Sequence, residues 1–298
     1  MNAAIYRSPL FYVGDKYKLM PELSGLFPDK IHRFIEPFVG GGSVSMNVTA
    51  DTYLLNDINE KVIEIHQMLC RYANDEKRFF EEIYHLIDSA GLSCSVRNDI
   101  VPQELKTKYV KTYYAKYNKD SYTRLRHLYN SGKDHPTLVL YVLLIYGFNR
   151  ILRFNKKGEF NLPVGNVDFN IKTETALKNY FRIMRDKRIS WSSQDFRVFL
   201  KNIDFQENDF IYLDPPYLIT FSEYNKLWDE ATDTALLDIL DQLDCKFAIS
   251  NVIRYKGRTN EKFLQWSDRY NVHKIKSNYI SFHDNTIKDF EEVLVTNY

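Results

Sequence analysis

The apolar run Phe210-Ile211-Tyr212-Leu213 stops abruptly at Asp214-Pro215-Pro216-Tyr217, and this junction constrains the fold more than any other stretch. Four consecutive apolar residues before a polar break read as a strand buried on both faces, the kind found in parallel sheets. Two prolines after it end the ladder, since each lacks an N–H donor and fixes φ. The chain therefore leaves the sheet on a short, stiff, polar shelf at the carboxyl edge, where open α/β sheets bind ligands. Asp214 and the Pro215 carbonyl can together accept both hydrogens of an amino group, while Tyr217 offers a face for the ring carrying it. A plain turn with Tyr217 as a half-buried cover is the alternative.

A second corner lies upstream. Arg33-Phe34-Ile35 runs as a strand into Glu36-Pro37-Phe38-Val39-Gly40-Gly41-Gly42, and Tyr53-Leu54-Leu55 forms the next strand. Glycines at such a turn let the backbone approach a ligand closely, and Ser43 is placed to cap the following helix. Asp57 stands 17 residues after Gly40, near the spacing at which an acid meets ribose hydroxyls. The pattern is not G-x-G-x-x-G and lacks the Gly-Lys-Ser/Thr ending of a phosphate loop. A nucleoside without pyrophosphate fits better than a dinucleotide or ATP, and S-adenosyl-L-methionine is such a ligand.

Asn59 through Leu69 carries helical spacing at Val62, Ile65, Met68 and Leu69. Further strands are expected at 189–192, 209–213, 246–250, 271–276 and 291–296. Residues 75–148 show helical stretches without strand alternation. Residues 151–165 read as a hairpin turning at Asn155-Lys156-Lys157-Gly158. The expected fold is therefore α/β: a Rossmann-like mixed sheet flanked by helices, built from 1–74 and 186–298. A mainly helical insertion, 75–185, interrupts it and carries the hairpin.

Composition excludes several classes. The 40 basic and 39 acidic residues give a net charge of +1, which argues against wholesale coating of nucleic acid but allows one basic face. Cys70, Cys94 and Cys245 are scattered without CxxC spacing, so neither a disulfide framework nor a zinc site is suggested. No apolar leader opens the chain, and the longest apolar run, Leu138 to Phe148, is too short to span a bilayer. A cytoplasmic protein without metal or membrane contact is expected.

Tyr12-Val13-Gly14-Asp15-Lys16, Ile35-Glu36-Pro37-Phe38-Val39-Gly40-Gly41-Gly42, Leu55-Asn56-Asp57 and Asp214-Pro215-Pro216-Tyr217 follow one another in a fixed order. In that order the chain resembles the Dam-type (D12 class, alpha group) DNA adenine-N6 methyltransferases from about residue 8 to its end. The resemblance implies methyl transfer from S-adenosyl-L-methionine to N6 of an adenine flipped out of double-stranded DNA. It implies catalytic roles for Asp214, Pro215, Pro216 and Tyr217. Tyr12 and Lys16 would touch the cofactor's methionine end, and Asp57 its ribose. Glu36, Pro37, Phe38, Gly40 and Asp214 would complete the cofactor site, with Asp195 and Phe196 holding the adenine. A solvated surface position is the alternative for Lys16, and a helix N-cap for Asp195. Within the restriction-modification members, a cognate endonuclease acts separately as a partner.

The segment from Phe148 to Pro163 resembles the family's recognition hairpin. Arg153 would reach a guanine edge in the major groove, Asn149 and Arg150 would sit near the opened base pair, and Lys156 would meet a phosphate. Asn155 and Pro163 belong to the same segment. The alternative for Arg153 is a strand-face arginine paired with Glu159. GATC-methylating members carry a guanine-reading lysine where Phe11 stands here, so the hairpin favours a GATC-like site while Phe11 departs from it. Residues 106–130 set Lys106, Lys108, Lys111, Lys116, Lys119, Arg124 and Arg126 against Asp120 among interleaved tyrosines. That pattern suits phosphate contact, Arg124 and Arg126 included, or equally an amphipathic helix pair with a solvated basic face.

Two other functions stay in view. One is methylation of RNA or of a protein glutamine by a related Pro-Pro-Tyr site. The other is a catalytically inert nucleic-acid-binding relative, against which the intact Asp214 tetrapeptide and Asp57 speak.

Overall fold

The computed structural model of the chain describes residues 4–97, 100–220, 228–276 and 289–298. Its first stretch runs α1 (Met20–Leu23), β1 (Arg33–Glu36), α2 (Ser43–Asn47), β2 (Thr52–Asn56) and α3 (Glu60–Tyr72). Helices α4 (Glu76–Ala90), α5 (Gln103–Lys108), α6 (Tyr113–Ser131), α7 (Thr137–Tyr146) and α8 (Ile171–Met184) follow, with a short 3₁₀ turn at Phe148–Arg150. The α/β rhythm then resumes with β3 (Ile189–Ser192), α9 (Phe196–Lys201), β4 (Asp209–Leu213) and α10 (Glu230–Leu240). The chain closes with β5 (Lys246–Tyr255), β6 (Arg258–Thr259), α11 (Glu261–Ser267), β7 (Asn271–Ile275) and β8 (Phe290–Thr296).

These strands form one mixed sheet in the order β3-β2-β1-β4-β5-β8-β7, with β6 attached to the end of β5. Pairings from β3 across to β5 are parallel, whereas β8 runs antiparallel to both β5 and β7. The expected Rossmann-like mixed sheet is therefore present. Beside β1 the order reverses: the chain steps outward to β2 and β3, then returns to lay β4 on the other flank. Such a reversal opens a crevice beyond the carboxyl ends of the strands. β1, β2 and β4 deliver Glu36, Asp57 and Asp214 to it.

β4 sits at the centre because all five of its residues are buried. Ile211 and Leu213 enter the core on one face of the sheet, and Phe210 and Tyr212 enter the core on the other. α3 forms as its spacing predicts, capped by the Asn59 side chain, which accepts from Lys61 N at 3.1 Å. Ser43 does not cap α2. Gly42, at φ 71°, holds that position and Ser43 is the first helical residue, since only the glycine takes the left-handed turn without strain.

The helices of 76–184 are not a separate globule. Phe79, Ile83, Tyr141, Leu144, Tyr180 and Phe181 share one continuous core with Val62, Ile65, Met68 and Leu69 of α3 and with Leu10, Phe11 and Tyr12. Residues 140–146 of α7 are buried throughout, which explains its apolar run. No helix among the described residues is long and apolar enough to cross a membrane.

The hairpin differs from the regular ladder expected. Its arms meet only at isolated bridges, Phe154 with Phe160 and, further down, Gly147 with Val164. α6 holds the edge of the second arm that faces away from the first. Asn130 donates to Phe160 O and accepts from Phe160 N, each at 2.9 Å, and Arg126 donates to Leu162 O at 3.0 Å. A backbone satisfied by neighbouring side chains does not need a full ladder.

Candidate active site

Asp214 leaves β4 into a network of buried charge. Lys16 Nζ, on a side chain only 4% exposed, donates to Asp214 Oδ2 at 2.6 Å and to Gly14 O at 3.3 Å. It is therefore not a solvated surface lysine. Glu292 Oε1 lies 3.8 Å from the same ammonium. The Tyr217 hydroxyl stands between two carboxylates, 2.8 Å from Asp214 Oδ1 and 3.0 Å from Glu292 Oε1. Burial, then the charges of Asp214 and Glu292, push the phenol well above its ordinary pKa, so it stays protonated and serves as donor. Each oxygen of Asp214 is thus held from behind by a different donor. Glu292 was not singled out in the sequence; an acid directly before the buried run Val293-Leu294-Val295 was its only signal.

The glycine turn is shaped by contacts on several sides. Gly40, at φ 47°, donates its N–H to Asp57 Oδ2 at 2.9 Å, and Asn59 N donates to Asp57 Oδ1 at 2.9 Å. Burial raises the Asp57 pKa against the pull of those two bonds. A Cβ at Gly41 would come within 2.8 Å of Tyr12 Cβ, so the turn is close-packed under Tyr12. The buried Asn56 side chain donates to Pro37 O at 3.0 Å and to Gln194 O at 2.9 Å, tying three strand ends together. Glu36 is buried, and its Oε2 has no hydrogen-bond partner. Burial lifts its pKa well above the carboxylate range, helped by the charges of Asp214 and Asp57.

Phe38, Phe196 and Trp228 form an aromatic group with ring centroids 5.4–5.6 Å apart. Trp228, which sequence reasoning missed, is fixed by its indole N–H donating to Asp233 Oδ1 at 3.0 Å. Asp195 caps α9 by accepting from Arg197 N at 2.9 Å, and the Arg197 guanidinium clamps both its oxygens. That clamp holds the Asp195 pKa below its ordinary value.

One cleft of about 1160 Å³ is lined by every expected cofactor and catalytic residue: Tyr12, Lys16, Glu36, Pro37, Phe38, Gly40, Asp57, Asp195, Phe196 and Asp214 through Tyr217. Arg153 and Asn161 of the hairpin, with Tyr255 and Phe290 of the sheet, line it as well. Arg153 is exposed and does not pair with Glu159. Its Nε and Nη2 donate to Asn161 Oδ1 and O, both at 2.8 Å.

The remaining hairpin positions divide by role. Lys156 and Pro163 are exposed, Lys156 at the tip. Asn155 is engaged in the turn, its Oδ1 accepting from Lys157 N and Glu159 N. Asn149 and Arg150 both adopt left-handed backbone, at φ 55° and 52°. The Arg150 guanidinium turns inward, 4.0 Å from the Phe11 ring centroid, and burial lowers its pKa to about 10. Arg7 also lies over this ring, at 4.8 Å from its centroid. Arg126 braces the hairpin rather than facing outward, while Arg124 is exposed on α6. Among the described residues, no group of three or more metal-ligating side chains is assembled.

Comparison with known proteins places this geometry in a family. The chain is 35% identical over 305 residues to the type II methyltransferase M.FokI of Planomicrobium okeanokoites, covering 98% of this chain and 43% of that protein. It is 34% identical over 311 residues to the modification methylase StsI of Streptococcus sanguinis, at 98% and 43% coverage. A DNA adenine methylase of Vibrio cholerae is 27% identical over 283 residues, covering 90% of this chain and 88% of that protein. The chain thus spans less than half the length of the first two relatives. The model of the D12 class N6 adenine-specific DNA methyltransferases matches residues 12–280, and the chain belongs to that family.

Proposed function

We propose that this chain transfers a methyl group from S-adenosyl-L-methionine to N6 of an adenine extruded from duplex DNA. The observation that carries the proposal is that the glycine turn, the Asp214 shelf and Arg153 of the hairpin line one cleft together. The residues fit a cationic nucleoside. Asp57 offers lone pairs to ribose hydroxyls, and Phe38, Phe196 and Trp228 suit an adenine ring. The orphaned Glu36 Oε2, buried near the charges of Asp57 and Asp214, leaves room for a polar partner, and a positive ligand there would favour the ionised carboxylate. Bound there, the cofactor supplies an electrophilic methyl on a positive sulfur.

The chain's own residues perform the rest. Asp214 accepts from the N6 amine, opposing the delocalisation of the nitrogen lone pair into the ring, and takes the proton released as the N–C bond forms. Lys16 and the Tyr217 hydroxyl keep the carboxylate from rotating away, a positioning effect that needs no covalent intermediate. The base must leave the helix to reach this shelf, and stacking on aromatic rings repays about 1–3 kcal/mol of that cost. Residues 75–185 act as the target-reading insertion, with Arg153 addressing a base edge and Lys156 a phosphate. The site read is related to GATC, altered where Phe11 replaces the family's lysine. A separate endonuclease is the partner in a restriction-modification setting.

The test is incubation of the chain with plasmid DNA and labelled S-adenosyl-L-methionine, followed by mapping of the methylated base. Label at N6 of adenine in one sequence context supports the proposal. Label in RNA or protein, or none with a folded chain that binds the cofactor, defeats it.

A further inference from the structure

His66 lies in α3, is fully buried, and has both ring nitrogens engaged. Nε2 is 2.9 Å from Gly40 O, and Nδ1 is 2.9 Å from the Tyr180 hydroxyl of α8. The ring stacks on Trp191 of β3 with centroids 5.0 Å apart, and a Cβ at Gly42 would sit 3.0 Å from its Cε1. A carbonyl can only accept, so Nε2 carries the hydrogen and Nδ1 takes one from Tyr180. Cys70 Sγ, 3.5 Å from that hydroxyl, completes a directed chain from Cys70 through Tyr180 and His66 to the Gly40 carbonyl. The imidazole is neutral, burial having lowered its pKa to about 4, so this tautomer persists across the neutral range.

The consequence falls on the cleft. A trans peptide points its N–H opposite to its C=O, and the described chain has no cis bond. Pinning Gly40 O toward His66 therefore turns the Gly41 N–H the other way, and Gly41 lines the cleft. The preceding peptide is fixed independently, through Gly40 N to Asp57.

We infer that His66 is a positioning residue for the cofactor: it holds the Gly40–Gly41 peptide so that the Gly41 N–H is presented to an acceptor on the ligand, with Tyr180 setting the tautomer that makes this possible. The inference rests on the reading of the cleft as the S-adenosyl-L-methionine site. It also makes α8, a helix of the insertion, a support of the cofactor turn.

The test uses the full chain and the variants His66→Phe, His66→Gln and Tyr180→Phe, with methyl transfer to plasmid DNA and calorimetric titration of S-adenosyl-L-methionine. His66→Phe keeps the stack and removes both bonds. Its KM and Kd for the cofactor are expected to rise by about tenfold or more, with kcat at saturation within about twofold of wild type and KM for DNA unchanged. His66→Gln, whose amide can donate to Gly40 O, restores most of the affinity, and Tyr180→Phe is intermediate. Wild-type cofactor affinity in His66→Phe overturns the inference, as do equal losses for Phe and Gln accompanied by weakened DNA binding. Should His66→Phe not fold, Tyr180→Phe decides, and unchanged cofactor affinity there is fatal to the idea. A wild-type chain that fails to bind the cofactor instead sinks the reading of the cleft itself.

Discussion

Replacing Tyr217 with Phe tests the central feature of the shelf. The substitution keeps the ring and deletes one oxygen, which now lies 2.8 Å from Asp214 Oδ1 and 3.0 Å from Glu292 Oε1. A hydrogen bond to a charged acceptor is worth about 1.5–3 kcal/mol, which corresponds to roughly 10- to 150-fold in rate if the whole effect reaches the transition state. Asp214 keeps its second anchor, Lys16 at 2.6 Å on Oδ2, so the carboxylate loosens without being released. The lower end, about 10- to 30-fold, is therefore expected. The assay is single-turnover methyl transfer with duplex DNA and cofactor both saturating, alongside DNA affinity at fixed salt. Asp214→Ala should abolish transfer, and the double variant should be no worse than Asp214→Ala, because the hydroxyl reaches the reacting amine through that carboxylate. A Tyr217→Phe rate within about twofold of wild type, or a loss explained by weaker DNA binding, refutes the reasoning.

Three further outcomes are expected. Arg153→Ala should lower discrimination at one base pair by about 1–3 kcal/mol, measured on a panel of single-substituted duplexes; an unchanged site preference removes Arg153 from the reading role. Glu36→Gln should stabilise the free chain at neutral pH. The buried acid has its pKa raised, so the unfolded chain releases a proton that the folded chain retains, and wild-type stability falls as pH climbs above about 4.5. Melting curves should show the variant's advantage above that pH and none below it, while cofactor affinity drops; a uniform shift at all pH values contradicts the assignment. Trp228 fluorescence should change as S-adenosyl-L-methionine is added, and Trp228→Phe should lose that change although Trp191 and Trp266 remain. A signal surviving in the variant would remove Trp228 from the adenine pocket.

Features written in neighbouring residues were readable without coordinates. β4 followed from four apolar residues and two prolines, and α3 from the helical spacing of Val62, Ile65, Met68 and Leu69. Features set by distant partners were not. Lys16 meets Asp214 across 198 positions, and Tyr217 meets Glu292 across 75, so no local pattern announced either bond. The hairpin misled for a different reason: its composition suits a ladder, but the Arg153 side chain takes Asn161 O and the Asn155 side chain takes Glu159 N, two groups the opposite arm would have bonded. Ser43 carried a good capping side chain, yet the left-handed turn required glycine one position earlier.

The hydrophobic seam between α3 and the helices of 76–184 limits which parts of the chain can be exchanged between relatives. Exchanging the whole insertion for that of a relative would strip the packed side of α3 and remove Tyr180 from beside His66. Grafting residues 148–163 alone disturbs far less, provided the host helix presents an asparagine and an arginine at the positions of Asn130 and Arg126. Chimeras that respect this boundary should fold where larger swaps aggregate, and they would show whether the grafted hairpin carries a target preference with it.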